Sequence, residues 1–135
     1  MTLKITRIDR AQARAMQQDP LRHNYFDGEV HLQEVVGLAD SQEVELLAVY
    51  FSPGARTRPH IHQHDQILQI LEGRCIVATE TEKHILAPGD VITIPGGIWH
   101  WHGATRDTAT CHLSIKMQGP TNWEVEEKNW ISAYE

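Results

Sequence analysis

Two short clusters of histidine give this chain residues whose type and spacing could do chemistry. His60 and His62 stand two positions apart and Gln66 has the same parity, so on β-strands their side chains would share a face. Neutral imidazole is a common ligand of divalent transition metals, and a glutamine amide oxygen can add an uncharged donor. His100 opens the second cluster after a Pro-Gly-Gly turn, and only the fold can bring it to the first. The residues therefore indicate a candidate metal site.

A polar strand face near the C-terminal end could supply proton transfer. On the candidate strand 110–117, His112, Ser114 and Lys116 alternate with apolar residues, and His102 shares a face with His100. An inward polar face beside a metal is typical of an active-site wall. We therefore expect His112 to be the general base and His102 to position it or carry a proton.

Other residues near the candidate site could contact a substrate. Lys116 could bind an anionic substrate or reach water at the end of its strand. Leu47 and Val49 are predicted by position to be apolar residues of the substrate cavity. Arg56 and Arg58 flank the first cluster, where they could be surface charges or could contact an anionic ligand.

Eight short β-strands are predicted to position these residues. Strong turn signals separate them at roughly 8–12-residue spacing, which is typical of a sandwich or barrel. A jelly-roll barrel is one way for such a chain to avoid exposed edges. The predicted strands are Val30–Gly37, Val44–Phe51, Gln66–Glu72, Cys75–Thr81, Lys83–Leu86, Val91–Ile94, His100–Thr105 and Thr110–Met117.

The two ends are predicted to be peripheral to a single domain. Residues 1–25 form an N-terminal extension with a short helix that Asp9 can cap. Residues 26–118 form the β-barrel. Residues 119–135 form a tail, either a helix or a strand followed by a helical turn, which packs on the barrel or on a partner subunit. Trp130 in this tail is expected to serve core packing or a dimer contact.

Composition excludes several classes of protein. The net charge of -6 argues against a nucleic-acid binder, and no apolar run approaches the ~20 residues that span a bilayer. The first residues lack the pattern of a signal peptide, so we expect a cytoplasmic location. Cys75 and Cys111 lack CxxC spacing and lie in apolar strands, which favours two buried thiols.

The spacing around both clusters resembles the two motifs of small single-domain cupins. Gly54–Gly73 contains His-x-His with Gln66 at the place of the usual Glu, and Gly89–His100 reads Gly, five residues, Pro-x-Gly, two residues, His. The resemblance implies an all-β jelly-roll barrel that binds one divalent metal, and the motif skips His64, which would lie in a loop at the barrel mouth. The implied metal ligands are His60, His62, Gln66 and His100.

A more detailed similarity, from about Val49 to Trp123, is to the manganese-dependent cupin hydroxynitrile lyases. That group also uses three His and one Gln, which implies manganese, although iron, nickel or zinc would suit the same donors. The similarity implies that His102 and His112 line the cavity. Lys116 departs from the lyases, which carry an amide residue there, and a cationic side chain would argue against cyanohydrin chemistry.

The resulting functional expectation is a metal-dependent, Lewis-acid lyase acting on a small oxygenated molecule. Three imidazoles and an amide leave the charge of the ion uncompensated, which favours Lewis-acid chemistry over oxygen activation. The alternatives are a quercetinase-like dioxygenase, a small-molecule-binding cupin without turnover, and a sugar-acid isomerase. The expected partners are a small-molecule substrate and a second copy of the chain in a homodimer, with no nucleic acid and no membrane.

Overall fold

Short antiparallel strands are the main secondary structure of residues 2–134, the part of the chain that the computed structural model describes. The outer limits of the two predicted end segments, residues 1 and 135, lie outside the described residues. The strands are β1 (Arg14–Ala15), β2 (Phe26–Asp27), β3 (Val30–Val36), β4 (Val44–Phe51), β5 (Arg56–Thr57), β6 (Ile61–His62), β7 (Gln66–Gly73), β8 (Cys75–Thr79), β9 (Lys83–Leu86), β10 (Val91–Ile94), β11 (His100–Ala104), β12 (Thr110–Met117) and β13 (Thr121–Asn122). The prediction of an all-β fold is confirmed, and the eight predicted strands agree with the observed ones to within one or two residues at their ends.

Two sheets face each other across the core. The larger sheet has the order β1-β3-β4-β12-β7-β10 and the smaller has the order β2-β5-β11-β8-β9, while β13 pairs with β6. Because side chains alternate along each strand, one face of each sheet is buried between the two sheets. Apolar side chains such as Phe51, Leu68 and Ile70 fill part of this interior, and the histidine clusters share it.

The N-terminal segment differs from the predicted helix. Asp9 does accept a hydrogen bond from the backbone N–H of Ala11, but the turn that it caps is a 3₁₀ turn, Arg10–Gln12. Two further 3₁₀ turns, Met16–Gln18 and His23–Tyr25, follow. The reason is tertiary: β1 pairs with β3 and Met16 is fully buried in the core, and these contacts override the helix propensity of the alanines.

The C-terminal tail follows the second of its predicted alternatives. After β13 it ends in a helical turn, α1 (Trp130–Ala133), whose Trp130 is buried beside Trp101 on the smaller sheet. The tail hydrogen bonds include Tyr134 Oη donating to the Ala104 carbonyl at 2.6 Å. Trp130 therefore packs on its own domain, which agrees with the core-packing interpretation.

Arg56 has neither of its predicted roles. Its side chain is buried, and its guanidinium lies 4.0 Å from the Trp130 ring centroid and 4.5 Å from that of Tyr134. It also donates to the Trp130 carbonyl, so it fixes the tail, and it is not among the residues that line the cavity around His60 and His62. Arg58 is half-exposed and pairs with Glu127 at 2.6 Å, as a surface charge would.

Two further expectations can be compared with the structure. Cys75 and Cys111 are buried free thiols, as predicted. Among the described residues there is no helix of the length and apolarity needed to cross a membrane.

Candidate functional site

Three of the predicted ligands lie together between the two sheets. His60 and His100 form an isolated antiparallel bridge, in which each backbone N–H donates to the carbonyl of the other at 3.0 and 3.1 Å. His62 lies on β6, and one ring nitrogen from each of the three buried imidazoles falls within 4.8 Å of the others. Backbone pairing thus joins the two motifs, a contact that side-chain alternation alone could not predict.

The imidazoles of His60 and His100 are each oriented by a hydrogen bond that one ring nitrogen makes to a backbone carbonyl. Their Nδ1 atoms lie 2.7 and 2.9 Å from the carbonyl oxygens of Arg58 and Ile98. A carbonyl oxygen can only accept, so each Nδ1 carries the proton and donates it, which leaves a lone pair on each Nε2. This hydrogen bond fixes the tautomer and the ring orientation, as the hydrogen bond of the non-ligating nitrogen does in metal-binding histidines.

His62 is oriented in the same way by the tail. Its Nδ1 lies 3.0 Å from Oγ1 of Thr121, the residue opposite it in the β6–β13 pair. Its Nε2 is buried and has no hydrogen-bond partner among the described residues. A buried nitrogen without a partner is costly, and a metal ion is one group that would satisfy it.

Gln66 adds an oxygen donor at the same point. Its amide nitrogen donates to Ser114 Oγ at 2.8 Å, which directs Oε1 to within 3.1 Å of Nε2 of His100. In the tautomer that the Ile98 carbonyl imposes, this Nε2 carries no proton, so two acceptors face each other. A cation in contact with both would relieve their repulsion. The donor set therefore fits a divalent metal ion.

Burial keeps these imidazoles in the neutral form that binds a metal. It lowers the pKa of His62 to about 3 and the pKa of His100 to about 4. The pKa of His60 lies well below its ordinary value because of burial, and positive charge on the neighbouring imidazoles would lower it further. Protons should therefore compete only weakly for these nitrogens near neutral pH.

His102 and His112 form a hydrogen-bonded pair across the cavity wall. Nε2 of His112 lies 3.0 Å from Nδ1 of His102, and the two residues come from strands of different sheets, β12 and β11. The outer nitrogens, His102 Nε2 and His112 Nδ1, are buried and have no hydrogen-bond partner within residues 2–134. Burial lowers the pKa of His112 to about 4 and holds the pKa of His102 well below its ordinary value. The neutral pair thus holds one proton in the shared bond and one at an outer end.

A cavity of about 190 Å³ connects these groups. The lining includes the two imidazoles of the His102–His112 pair, His60, His62 and Gln66, whereas His100 belongs to the cluster but does not line the cavity. Leu47 and Val49, which were predicted to be apolar residues of the substrate cavity, line it, and so does Lys116, for which the sequence left two roles open. Phe26 and Leu32 extend the apolar part of this wall.

Two charged residues of the cavity lining, Arg22 and Glu45, were not predicted from the sequence. Glu45 stands opposite Lys116 in the pairing of β4 with β12, and its Oε1 lies 3.3 Å from the lysine Nζ. The signal was present, because Glu45 has the same parity as Leu47 and Val49, which were assigned to the cavity. The side chain of Lys116 is only 9% exposed, so it does not reach freely into water.

An aromatic stack at the cavity wall was also missed. The ring of Trp123 lies between Tyr25 and His60, with both centroid separations at 4.2 Å. All three residues line the cavity. No sequence signal connects a tail residue, an N-terminal residue and a motif histidine, so this contact depends on the fold.

His64, which lies between the predicted ligands along the chain, is outside the histidine cluster. The group that could hold a metal contains His60, His62 and His100, and His64 is not part of it among the described residues. His64 follows β6 in a half-exposed bend, which agrees with the predicted loop position.

Known proteins resemble this chain in sequence. Residues 47–116 match the cupin domain family. An (R)-mandelonitrile lyase from Granulicella tundricola is 36% identical over 95 residues, which cover 69% of this chain and 72% of that protein. A 1-methylthio-D-xylulose 5-phosphate methylsulfurylase from Rhodospirillum rubrum is 32% identical over 87 residues, 60% of this chain and 56% of that protein.

The fold gives the same assignment. A cupin-like protein from Thermotoga maritima superposes with a TM-score of 0.74 at 32% identity, covering 82% of this chain and 85% of that one. The jelly-roll architecture and the resemblance that rested on two sequence motifs are confirmed. By sequence, fold and the arrangement of its histidines, this chain belongs to the cupin family.

Proposed function

We propose that this cupin is a metal-dependent lyase that cleaves a small cyanohydrin-type molecule to a carbonyl compound and hydrogen cyanide. The observation that carries the proposal is the His102–His112 pair, which lines the same small cavity as His60, His62 and Gln66. The similarity to a protein named as a mandelonitrile lyase supports the reaction class.

The residues that would hold the metal are the three clustered histidines and Gln66. We propose manganese as the ion, and iron, nickel or zinc would suit the same donors. When bound, a divalent ion supplies Lewis-acid stabilisation of negative charge on oxygen or on a leaving group. Because the amide of Gln66 carries no charge, the donor set would leave that positive charge available to the substrate.

The histidine pair can balance the protons of this reaction. The hydroxyl proton of the cyanohydrin is removed, the C–C bond breaks, its electron pair leaves with cyanide, and cyanide takes up a proton. His112 would accept the hydroxyl proton at Nδ1, and the proton in the shared bond would pass to His102, whose Nε2 would give one proton to the departing cyanide. The pair ends neutral in its other tautomer, and proton exchange restores the first.

The cavity favours a small and largely apolar substrate. Its volume of about 190 Å³ is below the ~300–1,000 Å³ typical of sites for drug-sized ligands. Leu47, Val49 and Phe26 would contact an aryl or alkyl group. A phosphorylated substrate, such as the one named for the second relative, would find no unpaired cationic side chain at Lys116, because Lys116 is paired with Glu45.

The test is turnover of racemic mandelonitrile by protein reloaded with manganese, iron, nickel or zinc. We expect benzaldehyde to form with metal-loaded protein at the same rate in air and under anaerobic conditions. The metal-stripped protein and free metal ion serve as controls for spontaneous breakdown. A requirement for O₂ would favour the dioxygenase alternative, and turnover indistinguishable from the controls with all four metals would refute the lyase proposal.

We also propose that the chain forms a homodimer. Leu3 and Ile5 stand two positions apart on the N-terminal segment, in which residues 2–9 form no helix or strand, and they are 93% and 90% exposed. The Gln33 side chain nevertheless holds this segment in place, accepting from Asp9 N–H and donating to the Arg7 carbonyl, each at 2.9 Å. A positioned segment with two uncovered apolar side chains is what a second copy would cover.

The oligomeric state tests this proposal. Sedimentation should show a dimer whose dissociation constant rises at least about tenfold in the double variant Leu3→Ser, Ile5→Ser, since each leucine- or isoleucine-sized contact contributes roughly 1.5–3 kcal/mol. Leu21→Ser, at a site that is 77% exposed, is the matched control and should leave association unchanged. A monomeric wild-type chain would contradict the proposal.

A further inference from the structure

The pair formed by Glu45 and Lys116 is a charged feature of the cavity that the proposed reaction does not use. The two residues are opposite neighbours on β4 and β12, and their side chains are 18% and 9% exposed. Lys116 Nζ lies 3.3 Å from Glu45 Oε1 and also donates to the Met117 carbonyl at 3.4 Å. Lys116 is in addition the cross-strand neighbour of Gln66 on β7, so the pair adjoins the candidate metal ligands.

Pairing of Lys116 with Glu45 reduces the positive charge that a substrate in the cavity would encounter. An unpaired lysine in a largely buried cavity would attract an anion strongly, because the effective dielectric constant there is low. Glu45 compensates that charge at close range. Arg22, the other cation on the cavity wall, is likewise placed 3.5 Å from Asp19 and 3.7 Å from Glu34. The cationic side chains that line the cavity therefore each face a carboxylate.

We propose that Glu45 and Lys116 form a substrate-selecting subsite that accepts an uncharged hydrogen-bonding group, such as a hydroxyl or carbonyl, and discriminates against carboxylates and phosphates. An anion would have to displace Glu45 from Lys116 and leave that carboxylate largely buried without its partner, which is costly. An uncharged group can accept from the ammonium and donate to the carboxylate while the pair stays intact. The inference rests on the proposed function only in taking this cavity as the substrate site.

Binding of benzoate and benzyl alcohol to the metal-loaded protein tests the subsite without any turnover. Calorimetry would compare wild type with Glu45→Gln, Lys116→Gln and the double variant. The ion attracts benzoate equally in all four proteins, so only the differences between them are read. Glu43→Gln, an exposed glutamate just before β4, is the matched control. Metal content and thermal unfolding are measured for each variant.

We expect Glu45→Gln to bind benzoate at least about tenfold more tightly and Lys116→Gln to bind it about tenfold more weakly. The double variant should return to within about threefold of wild type, and benzyl alcohol should change by less than about threefold throughout. Glu45→Asp withdraws the carboxylate by one methylene and keeps the charge, so it should tighten benzoate binding by about threefold even where Glu45→Gln fails to fold.

Benzoate affinities that are equal in wild type, Glu45→Asp and Glu45→Gln would overturn the subsite and leave the pair as a structural contact. That result is distinguishable from failure of the lyase proposal, which concerns benzaldehyde formation. The binding experiment gives its answer whether or not mandelonitrile is cleaved.

Discussion

Two polar clusters line the same small cavity, and they differ in whether their polar atoms find partners within the protein. In the histidine cluster, the Nδ1 atoms of His60, His62 and His100 are hydrogen-bonded, while Nε2 of His62 has no hydrogen-bond partner in the described part of the chain and Nε2 of His100 faces another acceptor. In the other cluster, Glu45 and Lys116 neutralise each other at 3.3 Å. The first cluster is chemically incomplete without a cation, and the second is complete.

This difference assigns the two clusters to different tasks. Buried polar groups without partners lower stability, so they persist where a ligand completes them. A compensated ion pair binds nothing strongly, and its effect is to set which charges the cavity tolerates. If this contrast is correct, variants of the first cluster should change metal binding and variants of the second should change only substrate selection.

The largest expected effect on metal binding comes from removing a donor of the incomplete cluster. His60→Ala should weaken metal binding by more than about 100-fold, because loss of an outer hydrogen-bond partner alone typically costs 10–100-fold. Metal content after dialysis and calorimetric titration would measure it. His64→Ala lies in the same stretch but outside the cluster and should retain the ion. Equal metal loss in both variants would break the contrast.

The histidine pair should affect turnover and leave the metal in place. His112→Ala should lower the rate of mandelonitrile cleavage by roughly 10²–10⁴-fold, the range typical of a lost general acid–base group. Metal content should match wild type, and added imidazole should restore part of the activity, which a purely structural role would not allow. A metal-free His112→Ala protein would show that this residue belongs to the metal cluster instead.

An intermediate effect is expected from the tail residue that holds His62. Thr121→Val removes the hydroxyl 3.0 Å from Nδ1 of His62 and should weaken metal binding about 10–100-fold. Thr81→Val, in the exposed turn before β9, is the matched control and should change nothing. Unaltered metal affinity in Thr121→Val would mean that the tail does not orient this ligand.

The smallest expected effect is the pH dependence of stability in the metal-free protein. Burial holds the pKa of His100 and of His112 at about 4, below the ~6.5 of an unfolded chain. The unfolded state therefore binds more protons between about pH 4 and pH 6.5, so the free energy of unfolding falls as pH falls through this window and is unaffected by these groups above it.

Thermal unfolding would measure this effect. The Tm of metal-free protein should fall by at least about 5 °C between about pH 7 and pH 5. A constant Tm over this range would show that the cluster accepts protons when folded.

Much of the site could be predicted from local pattern. The pattern predicted a shared site for His60, His62 and Gln66, and all three line one cavity, although they do so from an isolated bridge, from β6 and from β7 rather than from one strand face. Leu47 and Val49, which were predicted by position, line the same cavity. Glu45 has the parity of these two residues on β4 and could have been found by alternation. The prediction of an N-terminal helix was wrong because capping and alanine content are local signals. Pairing of β1 with β3 and the burial of Met16 outweighed them.

The sequence by itself determined which side chains share a face and where the strands turn, since alternation and turn chemistry depend on neighbours along the chain. Only the tertiary structure decided which faces meet: His100 with His60, His102 with His112, Lys116 with Glu45, and Trp123 with His60. Those contacts depend on which distant strands pair and in what register, and a period of two along one strand carries no information about its partner.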